Sequence, residues 1–262
     1  MKRFIFFLLA SGVAATVFAQ VDLPEHQFAV GTWEIIEGRV FQKDTASRLA
    51  KANIKAPQSG AMLYEFDVRY ESGLEDGQGG FGIHIFADNA INRPSWGVGK
   101  SWLLWLNYDK NPLKNSGIQA GLSGQVYRSI NNSTMELVQS VDLNYYVPLF
   151  TQDGAPNLVS FKVYANGDTG EIRIYDPTDS TGANYYHFTI DEKYLPLKGD
   201  WVAFRTNGVS LSFAPIESAV KAAEEDEAVE ETETGEEAES AEEDGAVEEE
   251  EADEEAEAVE EE

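Results

Sequence analysis

Apolar side chains recur at every second position through most of the chain between residues 30 and 215. From Ala61 to Tyr70, the residues Met62, Tyr64, Phe66, Val68 and Tyr70 fall on one side, and Leu63, Glu65, Asp67 and Arg69 on the other. Phe81, Ile83 and Ile85 alternate with Gly82, His84 and Phe86. A period of two is the signature of half-buried strands, because successive side chains of a strand point to opposite faces. Turn signals such as Glu37-Gly38, Asn166-Gly167 and Asn207-Gly208 punctuate the pattern, the last two being hairpin-type dipeptides. Strands are predicted over residues 32–36, 39–43, 61–70, 80–87, 101–108, 117–122, 125–130, 134–140, 158–165, 171–175, 185–190, 201–206 and 209–214. The one helix candidate is 45–53, short and surface-lying. Many short strands with regular turns indicate an all-β, two-sheet antiparallel sandwich. Residues 101–108 are apolar on both faces, as expected of a central strand covered on both sides or of one whose second face lines a groove.

The two ends differ from this middle. Lys2 and Arg3 precede an apolar stretch from Phe4 to Val17, and Val17-Phe18-Ala19 supplies a cleavage site, so residues 1–19 are expected to be a signal peptide and the protein exported. The run is too short to span a membrane. Residues 20–216 then form the sandwich domain. From residue 217 to 262 there are 25 Asp or Glu against Lys221 alone, so this tail carries −24 of the net −28. Low hydrophobicity and high charge predict disorder. Like charges four residues apart, as at Glu227/Glu231 and Glu251/Glu255, cost about 0.2–0.5 kcal/mol per pair in a helix. Only over 218–229, where Lys221 relieves one contact, is a short frayed helix allowed. The tail is a solvated appendage or a lure for a basic partner, and its sign argues against nucleic acid and anionic lipid. The chain has no cysteine, which excludes disulfides and thiolate chemistry.

The segments GTWEIIEGRVFQ, GAMLYEFDVRYESG with GGFGIHIFAD, and DWVAFRTNGVSLSF together resemble the paired strands of concanavalin A-like jelly rolls. Legume lectins, laminin-G-like modules and family-16 glucanases have that fold. The resemblance implies a jelly-roll sandwich from about Gly31 to Phe213. The glucanase catalytic E-x-D-x-E does not accompany it. The nearest match, Glu65-Phe-Asp67-Val-Arg-Tyr-Glu71, places the second Glu too far along, and residues 102–108 carry no carboxylate before Asp109. Calcium is common in laminin-G-like modules, and Asp76, Asp88 and Asn89 are loop residues that would suit it, but no recognisable ligand loop is present. No cofactor is otherwise implied.

Other chemistries find little support. Gly77 to Gly82 matches G-x-G-x-x-G in letters only, since a strand follows it where a dinucleotide loop needs a helix. His26, His84 and His187 share no metal-ligand spacing. Glycan binding needs only an aromatic ring and polar groups in a concavity. If Phe81, Ile83 and Ile85 face the core, then His84 and Phe86 face away from it, with Trp105 and Asn107 beside them, and Glu65, Asp67 and Arg69 on the same side. These seven residues are the candidate carbohydrate site. The alternative is that Trp105 is ordinary core and His84 incidental. Trp96, Tyr145-Tyr146 and Tyr185-Tyr186 are expected at the rim. The leading expectation is an exported, non-catalytic protein that binds carbohydrate or envelope glycan. The alternatives are a periplasmic or surface assembly subunit, with the 145–156 loop as its contact, and a glycoside hydrolase with carboxylates from distant strands.

Overall fold

The computed structural model describes residues 24–146, 158–216 and 219–223. The expected signal peptide, most of the acidic tail and residues 147–156 of the candidate contact loop lie outside this range. Among the described residues the chain forms strands β1 (His26–Ala29), β2 (Trp33–Ile36), β3 (Arg39–Gln42), β4 (Ala50–Ser59), β5 (Ala61–Gly73), β6 (Gln78–Ala87), β7 (Ser101–Asp109) and β8 (Gly121–Ser129). They continue as β9 (Met135–Asp142), β10 (Leu158–Asn166), β11 (Glu171–Tyr175), β12 (Tyr185–Thr189), β13 (Lys198–Asn207), β14 (Val209–Ala214) and β15 (Val220–Ala222). Two antiparallel sheets result. One runs β1-β4-β13-β6-β7-β8-β9, and the other runs β12-β11-β10-β5-β14-β3-β2, with β15 added to β5. The all-β jelly-roll sandwich expected from the sequence is the observed architecture.

The alternation explains the layers. Tyr64, Phe66 and Val68 of β5 meet Phe81, Ile83 and Ile85 of β6 and Phe204 of β13 in one apolar core between the sheets. Phenylalanines knit it together. The Phe66 and Phe204 rings meet edge to face at 4.9 Å, Phe204 meets Phe213 at 5.0 Å, and Phe81 meets Phe161 at 5.2 Å. Such ring pairs contribute about 0.5–1.5 kcal/mol each beyond their burial. One polar strut crosses this layer. Tyr64 donates to Gln58 Oε1 at 2.7 Å, and the same oxygen accepts the Phe86 N–H at 2.8 Å. Gln58 in turn donates to the Trp201 carbonyl. Burial far from water raises the Tyr64 hydroxyl pKa well above its ordinary value.

Three departures from the expected elements have local causes. The helix expected over 45–53 is a turn followed by β4. Ala, Lys and Asn are poor strand formers, but Ala52 and Ile54 enter the core while Lys51 and Asn53 are buried on the opposite face, so tertiary burial overrides propensity. Pro57 fits inside β4 because β1 reaches only as far as the His26–Ile54 pair, leaving no neighbour there to need its missing N–H. Of residues 117–122 and 125–130, expected as two strands, 117–120 are irregular and the rest forms the single strand β8, Gly121–Ser129. The sandwich also continues past Ile216. Ala219 is buried, the Glu65 N–H donates to its carbonyl at 2.9 Å, and Val220–Ala222 pair with Tyr64–Met62. A strand therefore stands where a frayed helix was allowed.

This last contact generates a prediction. A chain stopped after Ile216 is expected to be less stable than one stopped after Ala223 by about 1–3 kcal/mol, from lost backbone hydrogen bonds and uncovered apolar surface. Urea unfolding of the two truncations checks it; equal midpoints would remove any structural role for β15.

Candidate functional site

The seven-stranded sheet has a second face, turned away from the core. Register places Lys51 and Asn53 of β4, Ala203 and Arg205 of β13, Gly82 and His84 of β6, and Leu103, Trp105 and Asn107 of β7 side by side on it. Gln125 and Tyr127 of β8 complete the row. At its middle the face is flat by necessity. A Cβ at Gly80 would come within 2.7 Å of the Trp105 indole, and one at Gly82 within 2.9 Å of the Trp105 Cα. The bare glycines let the indole lie across β6. Trp105 donates from Nε1 to Asn107 Oδ1 at 3.2 Å, and Tyr127 donates to Gln125 Oε1 at 2.8 Å.

Half of this face is roofed by the connection between β6 and β7, residues 88–100. Ile91 and Val98 of the roof pack on Ala87 and Ala203. Lys51 donates from Nζ to the Ser95 carbonyl and, at 2.9 Å, to the Ser95 hydroxyl. Asn53 donates to the carbonyl of Ile91 at 3.0 Å, and Arg205 to that of Trp96 at 2.8 Å. The Arg205 guanidinium lies 5.1 Å from the centre of the Trp105 ring and 5.6 Å from that of Trp96, within cation–π range of both. The Trp96 side of that sandwich faces outward, and Trp96 is 62% exposed.

The ground beneath the roof is basic. Burial first, and then the charge of Arg205, pushes the Lys51 amine down to about 7. Burial also lowers the Arg205 guanidinium to about 10. His84, fully buried, is held well below its ordinary value by desolvation and then by the charges of Arg205 and Lys51. It shares a 2.9 Å hydrogen bond with Ser101 Oγ through Nδ1, while its Nε2 and the Arg205 Nε have no partner among the described residues.

The structure brings together some of the residues expected at the site and scatters others. Trp105 and Asn107 lie on this face at the edge of the roof. His84 lies on it too, but it is wholly buried, so it supports the face and does not meet a ligand. Trp105 is 7% exposed and does the same. Phe86 turns inward and joins the core. Its φ of +51°, the register shift between Trp201 and Ala203 and the close approach of Gly199 to the Phe86–Ala87 backbone reverse the alternation at that point. Left-handed backbone at a bulky residue costs about 1–3 kcal/mol, offset here by burial of the ring and by the bond to Gln58. Glu65, Asp67 and Arg69 belong to the other sheet, on its outer face. There Glu65 pairs with Lys221, Asp67 accepts from Ser160, and Arg69 pairs with Glu71 at 2.7 Å. They form a self-paired surface, apart from the aromatic face. Asp76 and Asp88 flank opposite ends of β6, so they build no common calcium site. Asp76 pairs with Arg48, and Asp88 accepts the Lys100 N–H. Among the described residues no group of three or more His, Asp or Glu side chains gathers to hold a metal ion.

No protein-family model matches the chain, and no curated protein does. Several solved structures are similar to it. The carbohydrate-binding module CBM66 from Bacillus subtilis is 9% identical with a TM-score of 0.47, over 73% of this chain and 93% of that one. Peanut lectin is 14% identical with a TM-score of 0.44, over 72% and 90% of the two chains. The exoplasmic/lumenal domain of VIP36 is 11% identical with a TM-score of 0.45, over 76% and 89%. Lectin-type sandwiches of the kind named from the sequence are thus among the structures this chain is similar to.

Arg205, Lys51 and Tyr127 were not foreseen. Arg205 was legible in principle, since Val202 and Phe204 alternate with it and leave it on the far face. Lys51 was hidden by the helix expectation.

The buried bases predict a pH dependence. The unfolded chain protonates Lys51 near 10.5 and the folded chain only near 7. Between those values the unfolded state holds the extra proton, so stability rises with pH from 7 toward 10.5. His84 acts in the same direction lower down, with stability lost as pH falls through 6.5. The urea midpoint is expected to climb between pH 7 and about 9.5, and Lys51→Met is expected to flatten the climb. A wild-type midpoint unchanged across that window would contradict the assignment.

Proposed function

We propose that this protein is an exported, non-catalytic carbohydrate-binding protein whose ligand docks on Trp96 and the adjoining face of the seven-stranded sheet. The observation that carries the reading is the exposed Trp96 indole, stacked on a fixed guanidinium and set on the roof of the sheet face that carries Asn107 and Tyr127. A sugar offers an apolar C–H face and a ring of hydroxyls, and a rigid indole edged by amide and phenol groups answers both. Arg205 holds the ring from behind, so little side-chain entropy is lost on binding. The lectins and the carbohydrate-binding module among the similar structures agree with this reading in kind.

Chemistry on the same face favours binding over hydrolysis. Glycosidic cleavage needs two carboxyl groups about 5–9.5 Å apart across the bond. The middle of the face holds Lys51, His84 and Arg205 and no carboxylate among the described residues. Asp109 and Asp142, at its far end, cap turns by accepting the N–H groups of Asn111 at 2.9 Å and Asn144 at 2.8 Å. No helix among the described residues is long and apolar enough to cross a membrane.

Because Trp96 is exposed, Trp96→Ala is expected to leave the thermal midpoint within a few degrees of wild type. It is expected to weaken glycan binding by tenfold or more, as loss of an aromatic anchor does. Glycan-array binding with tryptophan fluorescence titration of the hits measures this. Full binding by the variant would sink the proposal.

A further inference from the structure

A second cleft, of about 390 Å³, opens at one end of the sandwich, where the start of β7 and the end of β8 meet the segment leading into β13. Its walls carry Lys100, Arg128, Lys193 and Lys198, and its aromatic surface is Phe86, Trp102 and Tyr194. No Asp or Glu lines it. That is four of the 19 Lys and Arg side chains of a chain whose net charge is −28, gathered around one hollow.

The rings and cations are already organised. Trp102 and Tyr194 meet edge to face at 5.8 Å. The Arg128 guanidinium sits 4.3 Å from the centre of the Tyr194 ring, and the Lys193 amine 4.9 Å. Arg128 gives Nη2 to Glu136 at 2.8 Å, and Lys193 pairs with Asp191 at 2.6 Å. The Arg128 Nε is buried without a hydrogen-bond partner among the described residues. Lys100 and Lys198 are exposed, and neither has an ion pair among the described residues. Cations left unneutralised around an aromatic floor fit a ligand that is anionic on its edge and apolar on its face.

We infer that this cleft binds a short acidic saccharide, a uronic-acid oligomer whose carboxylates meet Lys100, Lys198 and Arg128 while a sugar ring rests against Tyr194. A free phosphate would use the cations and ignore the ring. A neutral sugar would use the ring and leave Lys100 and Lys198 unanswered. The cleft is built from residues other than those of the Trp96 face, so it stands whether or not that face binds glycan.

The test is isothermal titration calorimetry of the full chain with trigalacturonate, its methyl ester and inorganic phosphate, at low and moderate salt. Trigalacturonate is expected to bind, with affinity falling as salt rises. The ester and phosphate are each expected to bind at least tenfold more weakly. The double variant K100Q/K198Q, which alters only exposed side chains and so should fold, is expected to lose tenfold or more in affinity for trigalacturonate. Trp96→Ala should leave that affinity unchanged, which separates this site from the face proposed above. Wild-type affinity in K100Q/K198Q, or no binding of trigalacturonate at all, would overturn the inference. Equal binding of the ester would remove the role of charge, and equal binding of phosphate would remove the sugar; either result also overturns it.

Discussion

Backbone carbonyls, not carboxylates, hold down the roof of the seven-stranded sheet. Lys51, Asn53 and Arg205 reach from three neighbouring positions on β4 and β13 to the carbonyls of Ser95, Ile91 and Trp96. A buried cation normally demands a counter-charge, because removing it from water is costly. Here Lys51, its amine lowered to about 7, gives up its charge readily, and that of Arg205 is spread between two indoles and a peptide oxygen. The arrangement ties an irregular connection of thirteen residues to a rigid sheet without a disulfide. It also fixes where Trp96 emerges. Without Arg205 behind it, the exposed indole would be one more mobile side chain on a loop.

The two outer faces of the sandwich solve opposite problems. On the eight-stranded sheet, acids and bases alternate across strands and neutralise one another. Arg39 donates to Ser212, Ser212 to Glu71, and Arg69 to Glu71. These part-buried pairs leave the charged groups of that face satisfied by one another. On the seven-stranded sheet the polar groups are turned inward under the roof and the apolar ring is turned outward. The end cleft follows a third pattern, with its charges uncovered and its rings below them.

Much of the architecture could be read from alternation alone. Strands such as β5, β6 and β7 have β-branched and aromatic residues at every second place, and the core they form is the expected one. Reading failed where burial did not follow local preference. Residues 50–56, with Ala, Lys and Asn in alternation, carry no strand signal of their own; only the sheet neighbours of Lys51 and the roof above Asn53 make them a strand. The face of Phe86 was misread because a single left-handed residue at a bulge breaks the period of two, and nothing in the letters Ile-Phe-Ala marks it. Glu65, Asp67 and Arg69 were placed beside His84 because period fixes which side of a strand a residue takes but not which sheet the strand joins. Trp105 and Asn107 were placed on the outer side of their sheet because β7 is apolar on both faces, which is unusual enough to carry information.

The glycines of β6 acquire a meaning that the motif-like spacing of Gly77 to Gly82 concealed. By presenting bare backbone at Gly80 and Gly82, the strand acts as a mould into which one specific large ring is cast. A side chain at Gly80 would meet the indole and one at Gly82 the backbone of Leu104 and Trp105, so neither position can gain a Cβ without moving β7. The bed beneath Trp96 is thereby fixed by backbone, and the exposed rim is the part left free to change.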